Sequence, residues 1–539
     1  MVFDAKEEFP MPADLKRLPV GLKDKGEAAP PSPPSSSELK QSLYSSFEQL
    51  VEQTQHSEAS SFMAFEKELL LKVHLLGRLL VVLFLTVREQ AERARTPVRV
   101  EQNGHIYTRR PAQPRNLNTL FGVVRYFRTY LRASDGQGYH PLDVALGLVR
   151  DRVSMNVLSL CSRLATMMSY ARVHTTLSWF LSAAPSTEVI EQTVLGLGRR
   201  TAEWFERVPA PQQDGEVLVI QIDSKGAPTA TETELSRRRG PRKRNPFAHS
   251  ARHRGREQRA RYAKKPRRKK GDKSKNARLA TVVVMYTLRK DPAGTGLLLG
   301  PINRRVYASF APKRHAFAIA KREARKRGFH PESGKLIQVV TDGDEDLARY
   351  TKEWFPKALH TVDVMHVIEH LYQAGECLYP EGSQDLKTFV DTLKQWLYGG
   401  QEQKVVAELG RRYRALPRTG PGMRGKRERL RSCIGYLDKR QEKMNYKQLL
   451  EQDLEVGSGA VEGAVKHLVG ARFDFGGSRW IRERAEALLQ LRCIDANGDW
   501  DAFIHWVHDD SHRLRRLHQK TIRIQQDTPA PLPTLGLAA

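Results

Sequence analysis

Residues 217–223 read Val-Leu-Val-Ile-Gln-Ile-Asp, and residues 336–342 read Leu-Ile-Gln-Val-Val-Thr-Asp. Each is an almost continuous apolar run of strand length, which is typical of a strand buried on both faces. Both runs stop at an aspartate, where core packing gives no reason for a charge. The two runs therefore predict a central sheet with Asp223 and Asp342 at its rim.

Outward from these runs, the sequence alternates between strands and helices. Three more strands are predicted at 280–288, 305–310 and 359–362, with helices at 312–327 and 345–355. Three strands followed by alternating helices and strands predict an α/β fold, in which a mixed sheet is flanked by helices.

Composition and pattern divide the chain into seven predicted segments. They are a disordered leader (1–37), a helical region with short strands (38–135), a second helical region (136–213), the first part of an α/β core (214–364), an all-helical insertion (365–455), helices that close the core (456–515) and a tail (516–539). Within 136–213, a break at 183–185 precedes Ser186, a good helix cap. This pattern fits a DNA-binding helix-turn-helix or an ordinary helical hairpin.

The formal net charge is +28, and residues 237–278 hold 20 lysines and arginines against two acids. So dense a cationic segment with few apolar residues predicts a flexible loop that contacts nucleic-acid phosphates, the alternative being a solvated insertion. The loop residues predicted to bind DNA are Arg237, Arg238, Arg239, Arg242, Lys243, Arg244, Lys264, Lys265, Arg267, Arg268, Lys269 and Lys270.

Membrane insertion and export are not expected. In the apolar segment 69–87 the longest uncharged run is nine residues, well short of the roughly 20 that span a bilayer. We expect a buried core helix or a dimer seam there. Four widely spaced cysteines without a C-x-x-C pair exclude a disulfide framework and indicate a reducing compartment. The predicted location is cytoplasmic, on the nucleoid, with no membrane partner.

A third acid, Glu462, is predicted in the first turn of a helix that follows Gly457-Ser458-Gly459. Each acid alone has an ordinary explanation, such as a turn at Asp223, a helix cap near Asp342 or a helix dipole at Glu462. Their order is more specific, because two strand-end aspartates precede a glutamate that lies beyond a long helical stretch. Clustered carboxylates bind Mg²⁺ or Mn²⁺, and two ions about 4 Å apart can activate an attacking oxygen and stabilise a leaving one.

With these residues in place, the chain resembles the DDE transposases of bacterial insertion sequences, and most closely the ISKra-type family with its Mutator-like relatives. The shared motifs are Asp-Ser-Lys-Gly at 223–226, Asp-Gly at 342–343, Thr-Val-Asp-Val-Met-His-Val-Ile-Glu-His-Leu at 361–371 and Gly-Ser-Gly-Ala-Val-Glu-Gly at 457–463. The resemblance implies an RNase H-like catalytic core. It also implies that Asp223, Asp342 and Glu462 bind two divalent ions, with Asp363 and His366 supporting them.

The same resemblance implies the reaction and its partners. It predicts a transposase that binds transposon ends in double-stranded DNA, cuts phosphodiester bonds and joins the ends to target DNA, working as a dimer or a larger assembly. Further DNA contacts are predicted at Lys466, Arg472 and Arg479, and Trp480 is predicted either to stack on a base or to pack in the core. Ser224 stands where relatives usually have glycine, and residues 133–138 lack the paired cysteines that many of them carry.

Two other functions use the same sequence features. An RNase H-like nuclease or resolvase would cut DNA with these acids and join nothing. A DNA-binding protein descended from a transposase would keep the basic loop without needing the acids.

Overall fold

The computed structural model describes residues 34–56, 61–102, 105–136, 138–148, 152–230, 232, 277–474, 479–511 and 513. Contacts divide the chain into two compact units, one formed by residues up to Thr193 with those from Asp501, the other by Val194–Trp500. The leader up to residue 33 and all the basic-loop residues named above lie outside the described residues.

The first unit joins helices to an antiparallel sheet with the strand order β1-β2-β3-β4. Its elements are α1 (Ser36–Gln55), α2 (Phe62–Arg95), β1 (Arg99–Gln102), β2 (His105–Thr119), β3 (Gly122–Ala133), β4 (Gly138–Tyr139), α3 (Pro141–Ala145), α4 (Met155–Met167), α5 (Tyr170–Leu177) and the first part of α6 (Thr187–Gly198). The helical pattern and the break before Ser186 agree with the sequence, and Val189 donates its N–H to the Ser186 hydroxyl at 3.4 Å. Recognition of DNA by α4 to α6 stays a prediction.

The long β2–β3 hairpin was predicted only in part, because β2 does not have the pattern of a strand. Pro111 and Pro114 interrupt it, and its pairing with β3 shifts register between Arg110 and Gln113. Proline lacks the N–H that a strand ladder needs, so it is tolerated at such irregularities. The structure thus has strands of 15 and 12 residues in the region where only short strands were predicted.

Helix α2 differs from the expectation of a buried core helix. Leu85 packs with Leu117 and Val124 of the sheet, but Gly77, Leu85 and Glu89 are its only buried residues. The buried-core alternative is therefore wrong for most of the helix, and the dimer-seam alternative stays a prediction. By length and composition alone, α2 is long and apolar enough to cross a membrane. Its charged residues interrupt the apolar run, but they are few within that run. Core helices of soluble proteins can have the same length and composition, so these two properties do not decide where α2 lies.

The second unit contains the five-stranded mixed sheet. Its elements are the end of α6, α7 (Thr201–Arg207), β5 (Val217–Pro228), β6 (Ala277–Lys290), β7 (Leu298–Ser309), α8 (Lys313–Lys326), β8 (Leu336–Thr341), α9 (Glu345–Trp354), β9 (Leu359–Val362), α10 (Val364–Gly375), α11 (Gln384–Tyr398), α12 (Glu402–Ala415), α13 (Met423–Asp438), α14 (Tyr446–Glu451), α15 (Gly459–Val465), α16 (Ala471–Phe473) and α17 (Arg482–Ala496). All five strands and both helices predicted for the core are present.

The strand order of this sheet is β7-β6-β5-β8-β9. Strand β6 is antiparallel to both neighbours, whereas β5, β8 and β9 run parallel. The carboxyl ends of these three strands therefore share one edge. Ile220 and Val339 in the sheet centre are fully buried, as their apolar runs predicted, and the predicted mixed α/β sheet is confirmed.

A helical segment from α10 to α14 separates β9 from α15, where an all-helical insertion was predicted. Its interior is apolar and fully buried at Leu371, Val390, Leu393, Leu409 and Leu437. The chain reverses between α11 and α12 at Gly400, whose φ of 72° lies in the left-handed region that glycine tolerates best.

Candidate active site

Two of the three candidate acids leave neighbouring parallel strands at the same edge. Ile222 of β5 pairs with Thr341 of β8, and Asp223 and Asp342 are the next residues along each strand. Both are partly buried. The register of the sheet thus brings together two carboxylates that are more than a hundred positions apart in sequence.

The turn after β8 fixes the position of Asp342. Its Oδ1 accepts the N–H of Asp344 at 2.8 Å. Asp344 caps α9 by accepting the N–H of Leu347 at 3.0 Å, and it also receives Lys313 Nζ at 2.8 Å. The cap that the sequence predicted at Asp344 is therefore present, and it anchors the aspartate turn to α8 and α9.

The end of α13 clamps the same turn from the insertion side. Tyr436 donates its hydroxyl hydrogen to the carbonyl oxygen of Asp342 at 2.8 Å, and Arg440 Nε donates to that of Gly343 at 3.0 Å. Arg440 also lies over the Tyr436 ring at 4.0 Å, with His370 stacked at 3.7 Å. The insertion thus contacts the main chain of the candidate catalytic turn directly.

Glu462 lies in the first turn of α15, as predicted, and glutamine side chains tie that helix to the sheet. Gln221 of β5, two residues before Asp223, accepts the N–H of Val461 at 3.0 Å and donates to the carbonyl of Gly457 at 3.1 Å. Gln338 of β8 likewise exchanges hydrogen bonds with the main chain of Glu455. Both glutamines are buried, so their polar groups depend on these partners.

Asp363 joins the end of β9 to the helix that carries Glu462. Its carboxylate is fully buried and accepts the N–H of Met365 at 3.0 Å, His366 Nδ1 at 2.7 Å, and from Ser458 both the N–H at 3.3 Å and the hydroxyl at 2.7 Å. Burial raises its pKa, but the hydrogen bonds from His366 and Ser458 outweigh burial and hold the pKa below the usual value. Asp363 is therefore a charged link between two elements of the site.

His366 carries a positive charge at neutral pH. The hydrogen bond to Asp363 is the main cause that raises its pKa to about 9, opposed by burial and helped by the charge of Asp342. Ligand atoms of Asp363, His366 and Glu462 lie within 4.8 Å of one another. Nδ1 of His366 faces Asp363, which leaves only Nε2 of that ring for another partner, and both oxygens of Asp363 already accept hydrogen bonds. We therefore interpret Asp363 and His366 as a hydrogen-bonded support.

The pKa of Asp223 is influenced by the charges of both other candidate acids. Burial is the main cause that raises its pKa, and the charges of Asp342 and Glu462 raise it further. The Ser224 N–H, which donates to Asp223, and the charge of His366 both lower it. The charges of Asp342 and Glu462 therefore act on Asp223, and a bound cation would offset them. Among the described residues, the group whose ligand atoms lie within 4.8 Å of one another does not include Asp223 or Asp342.

The other predicted DNA contacts differ in exposure. Lys466 is 77% exposed with its Nζ 3.5 Å from a Glu462 oxygen, and Arg479 is exposed. Arg472 is only 7% exposed and its guanidinium lies over the Trp480 ring at 4.6 Å. This packing favours a structural role for Arg472 over the predicted phosphate contact.

Trp480 is built into the core sheet by its main chain. It donates its N–H to the carbonyl of Pro228 at 3.1 Å and accepts the N–H of Ala230 at 2.9 Å. Its ring meets that of Phe473 edge-on, with centroids 5.0 Å apart. Of the two predictions for Trp480, these contacts favour packing over base stacking.

Comparison with known proteins gives little. No protein-family model and no curated protein matches the chain. Among solved structures, it is similar to the Drosophila P element transposase strand transfer complex, with 11% identity and a TM-score of 0.21 over 68% of this chain and 83% of that chain. A likeness at this TM-score carries no argument about fold or function.

Proposed function

We propose that the protein is a DNA transposase of the insertion-sequence type, which binds transposon ends, cuts their phosphodiester bonds and transfers the cut strand to target DNA. One observation carries the proposal. Asp223, Asp342 and Glu462 come from separate elements, and the pKa of Asp223 is raised mainly by burial and further by the charges of the other two. A fold keeps repelling carboxylates together at a cost in stability, and such sites are usually functional.

We also propose that the mixed sheet is an RNase H-like core. Its support is the arrangement that the sequence motifs require, namely two aspartates at the ends of adjacent parallel strands and a glutamate on a helix behind a helical insertion. The side chains of Gln221 and Gln338 support the same assignment, since Gln221 holds the Glu462 helix against β5 and Gln338 holds Glu455, in the segment before that helix, against β8.

The residues suit divalent cations. The donor set is three carboxylates whose negative charge is only partly compensated, and hard oxygen ligands are what Mg²⁺ and Mn²⁺ prefer. Asp223, Asp342 and Glu462 would hold two such ions, which supply activation of the attacking oxygen and stabilisation of the leaving one. The chain itself keeps the acids in place through Asp363 and Tyr436, and Lys466 offers a cation beside Glu462 for a nearby phosphate.

We propose double-stranded DNA as the partner, at both the transposon ends and the target, bound by two or more protomers. The net charge of +28 supports a polyanionic partner.

The test is a strand-transfer assay with a labelled duplex from the DNA that flanks the coding region and a supercoiled plasmid target. We expect product covalently joined to plasmid in Mg²⁺ or Mn²⁺, and none with Asp223→Ala or Glu462→Ala. Glu451→Ala, which removes an exposed acid on α14, is the matched control and should keep activity. Cut but unjoined DNA would favour the nuclease, and activity that survives Asp223→Ala would rule out the triad.

A further inference from the structure

A second cationic surface lies on the insertion, away from the acids. Residues 411–431 form the end of α12, a turn and the first half of α13, and we call them the basic hairpin. They hold nine lysines and arginines against a single acid, Glu428. All of these residues are described, unlike those of the long basic loop. The net charge of the basic hairpin therefore has a defined place in the fold.

Part of that charge is already balanced by acids. Arg411 and Arg412 both bind Glu408, at 2.7 and 2.8 Å. Arg424 pairs with Glu428 at 3.2 Å, and Arg429 approaches Glu376 to 3.9 Å. These exposed pairs contribute little stability, but they take up the acids within reach.

Four cations of the basic hairpin remain uncompensated and exposed. They form no ion pair with any residue in the described ranges of the chain, and they are Arg414, Arg418, Lys426 and Arg431. This excess of exposed positive charge on one hairpin favours a polyanion, which releases its own counterions when it binds.

The basic hairpin is also held in a fixed shape. Arg427 donates to the carbonyls of Tyr413 at 3.1 Å and Leu416 at 2.6 Å, and its guanidinium lies over the Tyr413 ring at 4.2 Å. Gly420 and Gly422 take positive φ values of 127° and 74° in the turn. Because the scaffold is ordered before binding, little conformational entropy is lost when the exposed cations meet a ligand.

Helix α13 connects this surface to the candidate active site. Its first turn lies in the basic hairpin, and Tyr436 near its other end contacts Asp342. At 1.5 Å per residue Met423 and Tyr436 are about 20 Å apart along the axis, or about six base pairs of B-DNA at 3.4 Å per pair, and Arg431 and Tyr436 are about 8 Å apart, or about two base pairs. One duplex of that length could reach both.

We infer that the basic hairpin binds the phosphate backbone of double-stranded DNA between about two and about six base pairs from the phosphate that is cut. The inference rests on the proposed function for the position of the cut, and on the charge and order of the hairpin for the binding itself. Arginine and lysine contacts to phosphates carry no sequence information, so the surface adds affinity and orientation for any sequence.

The test compares two variants that each lose three positive charges. The first is Arg414→Gln/Arg418→Gln/Arg431→Gln. The matched control is Arg289→Gln/Lys290→Gln/Lys335→Gln, which removes exposed cations where β6 ends and β8 begins, at the sheet edge opposite Asp223. Binding to duplex DNA is measured in EDTA over a range of salt concentrations. We expect the slope of log affinity against log salt to fall by about 2 to 3 for the hairpin variant, since each lost phosphate contact lowers it by about 0.9.

Duplex length gives an independent readout. The hairpin variant should bind at least tenfold more weakly than the control when the duplex extends about ten base pairs past the cut position, and equally when the duplex ends at the cut position. Replacing the three arginines by lysine should restore binding if the variant is folded. Equal binding of the hairpin and control variants to long duplexes would overturn the inference, as would a stronger dependence on the hairpin with duplex RNA than with DNA.

Failure of the proposed function gives a different result. If the wild type forms no cut or joined product in any metal, but the hairpin still determines binding in EDTA, the transposase proposal fails and the DNA surface stands. If products form and the hairpin variant binds and reacts like the control, the DNA surface fails and the transposase proposal stands.

Discussion

Tyr436 donates its hydroxyl hydrogen to the main-chain carbonyl of Asp342 at 2.8 Å, across 94 positions of sequence. The contact joins the last turn of a helix in the insertion to the turn that carries a candidate catalytic carboxylate. A shift of α13 would therefore be felt at Asp342 without any contact to its side chain. The insertion and the candidate active site are mechanically coupled through this bond and through Arg440.

Tyr436→Phe removes only this hydrogen bond. We expect the free energy of unfolding to fall by about 1 kcal/mol, because a partly buried carbonyl loses its donor. For the proposed DNA cutting, we also expect the rate constant to fall while the dissociation constant for DNA is unchanged, since the Tyr436 hydroxyl donates to the main chain of Asp342. Chemical denaturation and single-turnover cutting measure the two effects. Unchanged cutting by a folded Tyr436→Phe protein would contradict the coupling.

Gly343→Ala tests the same clamp from the other side. Gly343 has a φ of 87°, and a Cβ built there would lie 2.5 Å from Tyr436 Oη and 2.9 Å from Arg440 Nε. We expect the free energy of unfolding, measured by chemical denaturation, to fall by at least about 2 kcal/mol. The loss combines backbone strain at residue 343 with displacement of Tyr436 and Arg440. Gly425→Ala in α13, where a Cβ meets nothing within 4 Å, is the control and should be neutral or stabilising by up to about 1 kcal/mol.

Asp363 should be more important to stability than any of the three candidate ligands. Asp363→Ala leaves the His366 cation, the Ser458 hydroxyl and two main-chain N–H groups without their acceptor, so we expect a loss of about 3 kcal/mol or more. Ser458→Ala removes one of these donors and should cost about 1 kcal/mol. Asp391→Ala, at an exposed aspartate paired with Lys394, controls for loss of a surface ion pair and should change stability by less than about 0.5 kcal/mol. Similar losses for Asp363→Ala and Asp391→Ala would contradict the role of Asp363 as a link.

His366 gives the site a defined pH dependence in the absence of metal. Its folded pKa of about 9 lies above the ordinary histidine pKa of 6.5, mainly because of the hydrogen bond to Asp363. Protonation therefore stabilises the fold fully below pH 6.5, and the contribution is lost as the pH rises through 9. His366→Gln should thus be destabilised by about 1.5 kcal/mol at low pH, and the difference from wild type should shrink towards pH 10. Thermal unfolding in EDTA over this range measures it. A constant difference would show that His366 is neutral in the folded protein, and exposed His315→Gln is the control.

The sequence predicts those parts of the fold and of the candidate site that depend on neighbouring residues, and it does not predict contacts between residues that are far apart along the chain. The apolar runs that end at Asp223 and Asp342 predicted buried strands, because burial and strand length are local properties. Glycine and serine before Glu462 predicted a helix start for the same reason. The hydrogen bonds of Gln221 and Gln338 could not be predicted. In the sequence both residues interrupt an apolar run, and their partners near Glu462 are distant along the chain. Tyr436 carries no local signal at all for a contact 94 residues away.

The region around β2 shows the opposite limit. Because β2 contains two prolines and three arginines, its sequence does not predict a strand of 15 residues. The strand forms because pairing with β3 compensates for the weak local preference. For helix α2 the apolar composition predicted a buried helix, but among the described residues only three of its positions are buried.

Glu462→Gln tests whether the three acids form a metal site. Without metal, the charges of Asp342 and Glu462 add to the burial that raises the pKa of Asp223. Removing one charge should therefore leave the protein at least as stable as wild type in EDTA. In Mg²⁺ or Mn²⁺ the order should reverse, because an ion that binds the folded state stabilises it by about 2.7 kcal/mol at a hundred times its dissociation constant, and the variant loses most of that. Thermal unfolding with and without metal measures both effects, with Glu451→Gln as the exposed control. If wild type and Glu462→Gln gain equally from metal, Glu462 is no ligand, and the acids near Asp223 need another explanation.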